Sequence, residues 1–168
     1  MKFLFLLIPI LSFAETGLLK KIVDGDTVYF NVKNKTIKCR VAYIDTPEKS
    51  MNNKLKSDIK KCGYSVKDKD MKAAGKSATR AAKRLLKVKK QYSFKVIDKD
   101  RYKRSICIIN LDNGETFNDQ MVLNGYAVPY WEYIPSSKKS HFRDLMNRAK
   151  SSGSGLWGSQ KEVMECLD

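Results

Sequence analysis

The stretch Lys20–Pro47, KKIVDGDTVYFNVKNKTIKCRVAYIDTP, decides the fold. Val28, Phe30 and Val32 alternate with Tyr29 and Asn31, the period of a strand with one face buried. Asn34-Lys35 predicts a hairpin turn, and Thr36–Ile44, rich in β-branched residues, predicts the partner strand, which Pro47 stops. Ahead of them, Lys20–Val23 reads as a strand running into a bend at Gly25.

Outward from this hairpin, Lys49–Asp70 is polar and lysine-rich and reads as a long exposed loop, with room for a short helix at Leu55–Lys61. Met71–Lys89 predicts a helix, because Ala74, Ala78, Ala81, Ala82, Leu85 and Leu86 form one apolar stripe of small residues suited to close packing. Tyr92–Ile97 and Ser105–Leu111 predict two more strands, and Asn113-Gly114 a turn returning through Glu115–Phe117. Asn118 is placed to cap a short helix ending at Gly125. Phe142, Leu145, Met146 and Ala149 outline a last helix, and Leu156-Trp157 follows as an apolar plug. Short strands, a helix, strands again and two helices suit an α+β domain: a small Greek-key barrel with helices packed on it. A chain of 168 residues is the size of one such domain, and no internal repeat divides it.

The charge is unusual. Lys and Arg number 33 against 18 Asp and Glu, a formal net charge of +15, which points to a polyanion or an acidic surface as partner. The N-terminus reads as a signal peptide over residues 1–14: Lys2, a short apolar run from Phe3 to Leu11, then Ser12-Phe13-Ala14 as a small-x-small cleavage site. The run is short for a bilayer, so no stable membrane insertion is expected after cleavage. Export to a periplasm or the medium suits the four cysteines, whose even number allows two disulfides in three connectivities. Cys39 and Cys107 both fall in strands, and the pairs 39–107 and 62–166 are our hypothesis. Without a CxxC spacing, and with His141 as the only histidine, a zinc site has little support.

The chemistry concentrates in three places. Asp24-Gly25-Asp26-Thr27 and Asp45-Thr46-Pro47-Glu48 put four carboxylates at the ends of predicted strands, where Gly25 lets the backbone bend. Alone, each reads as a polar turn; together around one hairpin they suggest an oxygen site for a hard cation such as Ca²⁺ or Mg²⁺. Arg40 lies inside a strand and needs a partner, either a structural ion pair with Asp24 or Asp45 or the two oxygens of a phosphate. Arg104 follows the charged turn Asp100-Arg101-Tyr102-Lys103. Carboxylates that hold a cation, with arginines that neutralise a phosphate, are the means of cleaving a phosphodiester.

Taken in order, Val23-Asp24-Gly25-Asp26-Thr27-Val28, Arg40, Ile44-Asp45-Thr46-Pro47-Glu48, Asp100-x-Tyr102-x-Arg104, Asn118…Gly125-Tyr126-Ala127 and Gly155-Leu156-Trp157 resemble the staphylococcal nuclease (thermonuclease) family over nearly all of the chain after residue 14. The resemblance implies a five-stranded OB-type β-barrel with about three packed helices over residues 15–168. It implies a monomeric, Ca²⁺-dependent nuclease that cleaves DNA and RNA with low sequence specificity and leaves 3′-phosphates. It places Ca²⁺ on Asp26, Asp45 and the Thr46 carbonyl, with Asp24 in support. Glu48 then holds or activates water, and Arg40 and Arg104 bind the scissile phosphate. Tyr102 would contact a nucleotide, flanked by Arg101, and Trp131 and Tyr133 would offer stacking faces. Two features depart from the best-known member: the longer 49–70 loop and the four cysteines. The alternative is an OB module that binds single strands without cutting them.

Overall fold

A computed structural model describes residues 14–168; the signal peptide read at residues 1–14 falls, except for Ala14, outside them. Five strands close into a barrel in the order β1-β2-β3-β6-β5: β1 (Glu15–Ile22), β2 (Thr27–Val32), β3 (Lys35–Val41), β5 (Gln91–Lys99) and β6 (Ser105–Ile109). Neighbours are antiparallel except β3 and β6, which run parallel. This is an OB-type α+β barrel. Its interior is filled by Leu19, Val28, Phe30, Val41, Phe94 and Ile109, with Phe30 stacked on Phe94 at a centroid distance of 4.5 Å.

The β2–β3 turn falls one residue earlier than the sequence suggested. Lys33 (φ 48°) and Asn34 (φ 64°) form it, and Val32 faces Lys35. The partner strand also ends sooner, at Val41. Tyr43 turns through a positive φ of 68°, and Ile44–Asp45 (β4) leaves the barrel to pair with Val128–Pro129 (β7). The return strand expected at Glu115–Phe117 is reduced to a single bridge, Asn110 to Thr116.

The region 49–70 is largely helical, not an extended loop. Helix α1 spans Asn53–Cys62, a single 3₁₀ turn follows at Gly63–Ser65, and α2 already begins at Asp68 and runs to Leu85. Asn52 caps α1 by accepting from Leu55 N at 2.7 Å, and Leu55 is fully buried. The short helix allowed at Leu55–Lys61 is present and slightly longer; the lysines on its outer face made the rest of the region read as loop, because a solvated helix and a polar loop share a composition. Helices α3 (Phe117–Leu123) and α4 (Ser136–Ser151) complete the expected trio with α2, and two short C-terminal helices, α5 (Leu156–Ser159) and α6 (Lys161–Leu167), are added. Thr116, not Asn118, caps α3. Asn118 is buried instead: it accepts from Ile109 N (3.1 Å) and donates to the carbonyls of Ala42 (2.9 Å) and Cys107 (3.2 Å), pinning α3 to the β3–β6 seam.

Both hypothesised disulfides form. Cys39–Cys107 crosses the parallel β3–β6 seam inside the barrel, with Cα atoms 5.6 Å apart. Cys62–Cys166 ties the end of α1 to α6, with Cα atoms 5.4 Å apart. Trp157 is buried as the expected plug. Among the described residues, no helix is long and apolar enough to cross a membrane.

Candidate active site

The bend between β1 and β2 and the short strand β4 bring Asp26, Asp45 and Thr46 together. Asp26 Oδ2 accepts from Thr46 N (3.0 Å) and Thr46 Oγ1 (2.8 Å), and its other oxygen accepts from Thr27 Oγ1 (3.1 Å). Gly25 makes this approach possible, though not through a special backbone angle. A Cβ there would lie 2.8–3.0 Å from the Thr46 side chain, so any larger residue would push the two acidic segments apart.

Arg40 completes the cluster. From β3 its guanidinium reaches Asp26 Oδ2 at 3.1 Å and Asp45 Oδ1 at 2.8 Å, and it donates to Val41 O at 3.2 Å. The two readings of Arg40 are thereby partly resolved: it pairs with Asp26 and Asp45, and its side chain also lines the adjoining cavity. Burial opposes the Arg40 charge, but Asp26 and Asp45 more than offset it and hold the guanidinium protonated. Burial likewise opposes the Asp26 charge. Arg40, Lys54 and the Thr46 donors overcome it and keep this carboxyl below the usual range. Asp45 goes the other way, raised because burial outweighs its cations. Asp24 is pushed up to about 7 by burial and then by the Asp26 charge. Burial thus opposes the charge on each of these carboxylates, and only Asp26 has partners enough to be pulled below the usual range.

Glu48 sits beside this cluster on the segment after Pro47. Asn52 Nδ2 donates to its Oε2 at 2.7 Å, and burial raises its pKa. Its backbone is set by α2. A Cβ at Gly75 would come within 2.3–2.6 Å of the Glu48 and Lys49 backbone, so the helix can pack there only without a side chain. A glycine inside a helix costs roughly 1 kcal/mol; here it lets α2 support the Glu48 segment directly. Lys49 Nζ closes the same corner by donating to Val23 O.

The sequence reading missed Lys54. Its ammonium lies 3.0 Å from Asp45 Oδ2, 2.8 Å from Asp58 Oδ2, 3.5 Å from the Thr46 carbonyl and 3.8 Å from Glu48 Oε1. Among the described residues, no three His, Cys, Asp or Glu side chains close on one point as a ready metal cage. The oxygens nonetheless converge on a cation, and that cation belongs to the chain. Carboxylates plus a carbonyl, with no sulfur or imidazole, are a donor set that suits a hard divalent ion such as Ca²⁺. The i,i+4 spacing of Lys54 and Asp58 was visible in the sequence, but it reads there as an ordinary surface pair.

Arg104 arrives from the next strand. Because β3 and β6 are parallel, with Cys39 facing Ser105 and Arg40 facing Ile106, Arg104 stands two residues ahead of the Arg40 partner, and both arginines reach one cavity. Arg104 Nε pairs with Asp100 Oδ2 at 2.7 Å, and Asp100 Oδ1 also accepts from the Tyr102 and Arg104 amides at 2.9 Å each. These donors outweigh partial burial and hold Asp100 below the usual carboxylate range. Arg40 and Arg104 line one cavity of about 470 Å³ with Tyr43, Arg101, Tyr102, Tyr130 and Tyr133. A larger hollow of about 610 Å³ near the start of β1 contains no arginine and no carboxylate pair.

Trp131 is not in this cavity. Its indole donates to Asp168 at 3.0 Å and Arg143 lies over its ring. Tyr130 takes the place the reading gave to Trp131, because the β4–β7 pairing continues into a bond from Tyr130 N to Tyr43 O (2.8 Å) that turns this side chain toward Arg40. The ring of Tyr130 meets that of Tyr133 edge-on at 4.7 Å.

A closed OB-type barrel with a buried acidic cluster, and two arginines opening beside it, defines the class of fold and site. The chain belongs to the staphylococcal nuclease homologue family, whose model matches residues 38–159. It is 31% identical to an uncharacterized protein, MJ1439, of Methanocaldococcus jannaschii, over 87% of this chain and 75% of that one. It is 30% identical to an uncharacterized endonuclease of Haemophilus influenzae, over 85% of this chain and 66% of that protein. It is 27% identical to endonuclease YhcR of Bacillus subtilis, covering 89% of this chain but 12% of the relative.

Proposed function

We propose that residues 15–168 form an exported, monomeric, calcium-dependent nuclease that hydrolyses DNA and RNA with little sequence preference and leaves 3′-phosphates. The observation that carries this reading is the shared opening of Arg40 and Arg104 beside the Asp26–Asp45–Thr46 cluster. Family membership and two relatives named endonucleases support it. The signal-peptide reading and two disulfides support export.

Asp26, Asp45 and the Thr46 carbonyl would hold Ca²⁺, with Asp24 in support. When bound, the ion supplies positive charge to a phosphate oxygen and orients a water. Arg104, half-exposed, and Arg40, fixed by its carboxylates, grip the scissile phosphate and offset the charge that grows on it. Glu48 takes the proton of the attacking water; its raised pKa makes it a better acceptor than an ordinary carboxylate. The water oxygen bonds to phosphorus as the bond to the 5′ oxygen breaks, and the released 5′ oxygen takes its proton from solvent. Tyr102, Tyr130 and Tyr133, with Arg101, offer faces to neighbouring bases that carry no sequence code.

The test is incubation of the purified protein with single- and double-stranded DNA and RNA, in Ca²⁺, in Mg²⁺ and in chelator. Cleavage of all four in Ca²⁺, abolished by chelator and cut by orders of magnitude in Glu48→Ala, is the expected outcome. Retention of nucleic acid without cleavage under every condition would establish the non-catalytic binding module instead.

A further inference from the structure

We propose that the Lys54 ammonium is a tethered cation seated in the divalent-ion position, and that the ion binds only by displacing it. This inference rests on the calcium reading above.

The ammonium touches oxygens from three separate parts of the chain: Asp45 and the Thr46 carbonyl from β4 and the residue after it, Glu48 from the following turn, and Asp58 from α1. Two of these, Asp45 and the Thr46 carbonyl, are oxygens assigned to the ion. An ammonium and a divalent ion cannot both occupy the space between these oxygens, because two cations there would overlap and repel.

Only the side chain has to move. Asn52 joins the start of α1 to the acidic segment, accepting from Leu55 N and donating to Glu48, while Leu55 is buried beneath it. Cys62–Cys166 anchors the far end of the helix. The Lys54 side chain, by contrast, is 34% exposed and hangs on a flexible four-carbon stem that can carry its charge to solvent. Charge favours the exchange. Among the described residues, Arg40 pairs with Asp26 and Asp45, and Lys54 with Asp45, Glu48 and Asp58; a divalent ion brings twice the charge of the ammonium it replaces. Other nearby lysines do not compete in this way: Lys49 turns to the Val23 carbonyl, and Lys56 is exposed on α1. Because the competing cation is part of the chain, its local concentration is fixed and high, and the apparent Ca²⁺ affinity is lowered accordingly.

Calorimetric titration of the full chain with Ca²⁺, without nucleic acid, tests this. Lys54→Met is expected to bind Ca²⁺ about 10- to 100-fold more tightly than the parent, the range for removing one charge-assisted contact. Lys56→Met, which removes an equal charge from the same helix, should change affinity by less than about twofold, since exposed charges are screened. Lys54→Gln serves as the second variant, and Ca²⁺-induced thermal shift as the second readout. Equal or weaker binding in both Lys54 variants, with the parent binding normally, would overturn the displacement while leaving the calcium reading intact. No Ca²⁺ binding by parent or variants would overturn both. Full cleavage by the parent in chelator, lost in Lys54→Met, would show the lysine acting as the cation itself and would also overturn it.

Discussion

The two arginines that open on the same cavity are held in opposite ways. Arg40 is locked: its side chain is 11% exposed, and two carboxylates and a carbonyl fix its fork. Arg104 is 31% exposed and leans on one carboxylate in a turn whose Tyr102 and Lys103 are also exposed. The first arginine is as much a part of the fold as of the site. The second sits at a hairpin tip, held by the one carboxylate of Asp100. A buried pair is costly to break from one side, whereas a half-exposed pair contributes little to stability. The same chemical group is therefore built into the fold in one place and held by a single surface pair in the other.

Arg40→Ala should have the largest effect, because it leaves Asp26 and Asp45 buried without their shared partner. A loss of about 3–5 kcal/mol is expected in denaturant unfolding, together with loss of cleavage. An unfolding midpoint equal to that of the parent would break the contrast. Arg104→Ala should sharpen it: turnover falls by about 10²- to 10³-fold, as for removal of one transition-state donor, while the unfolding curve stays within about 0.5 kcal/mol of the parent. A matching fall in stability would show that Asp100–Arg104 is structural after all. The smallest effect separates the aromatics around the cavity. Tyr133→Ala should weaken single-strand binding by about 1–3 kcal/mol, read as a change in KM with kcat retained, whereas Trp131→Ala should leave KM unchanged because its ring is engaged by Arg143 and Asp168.

The β-hairpin, the helix at 71–89, the carboxylate motifs and both arginines were legible because each depends on spacing within a few residues. Boundaries shifted where a tertiary contact overrode local preference. Asn118 looked like a cap and proved to be a pin between helix and barrel. Gly25 looked like a hinge and proved to be a gap for Thr46. Gly75, inside an alanine-rich helix, gave no local sign that the Glu48 backbone would lie against it. Tyr130 and not Trp131 lines the cavity, because a short strand pairing, not the aromatic pattern, decides which ring faces it.

By itself the sequence determined the alternation that makes the strands, the even cysteine count, and which side chain types are able to hold a cation or a phosphate, since these follow from residue type and near-neighbour period. Only the tertiary structure decided that parallel β3 and β6 open Arg40 and Arg104 onto one cavity, and that Lys54 from α1 reaches the carboxylates of another segment. Contacts between distant segments are set by how the elements pack, and packing depends on shapes that no local pattern records.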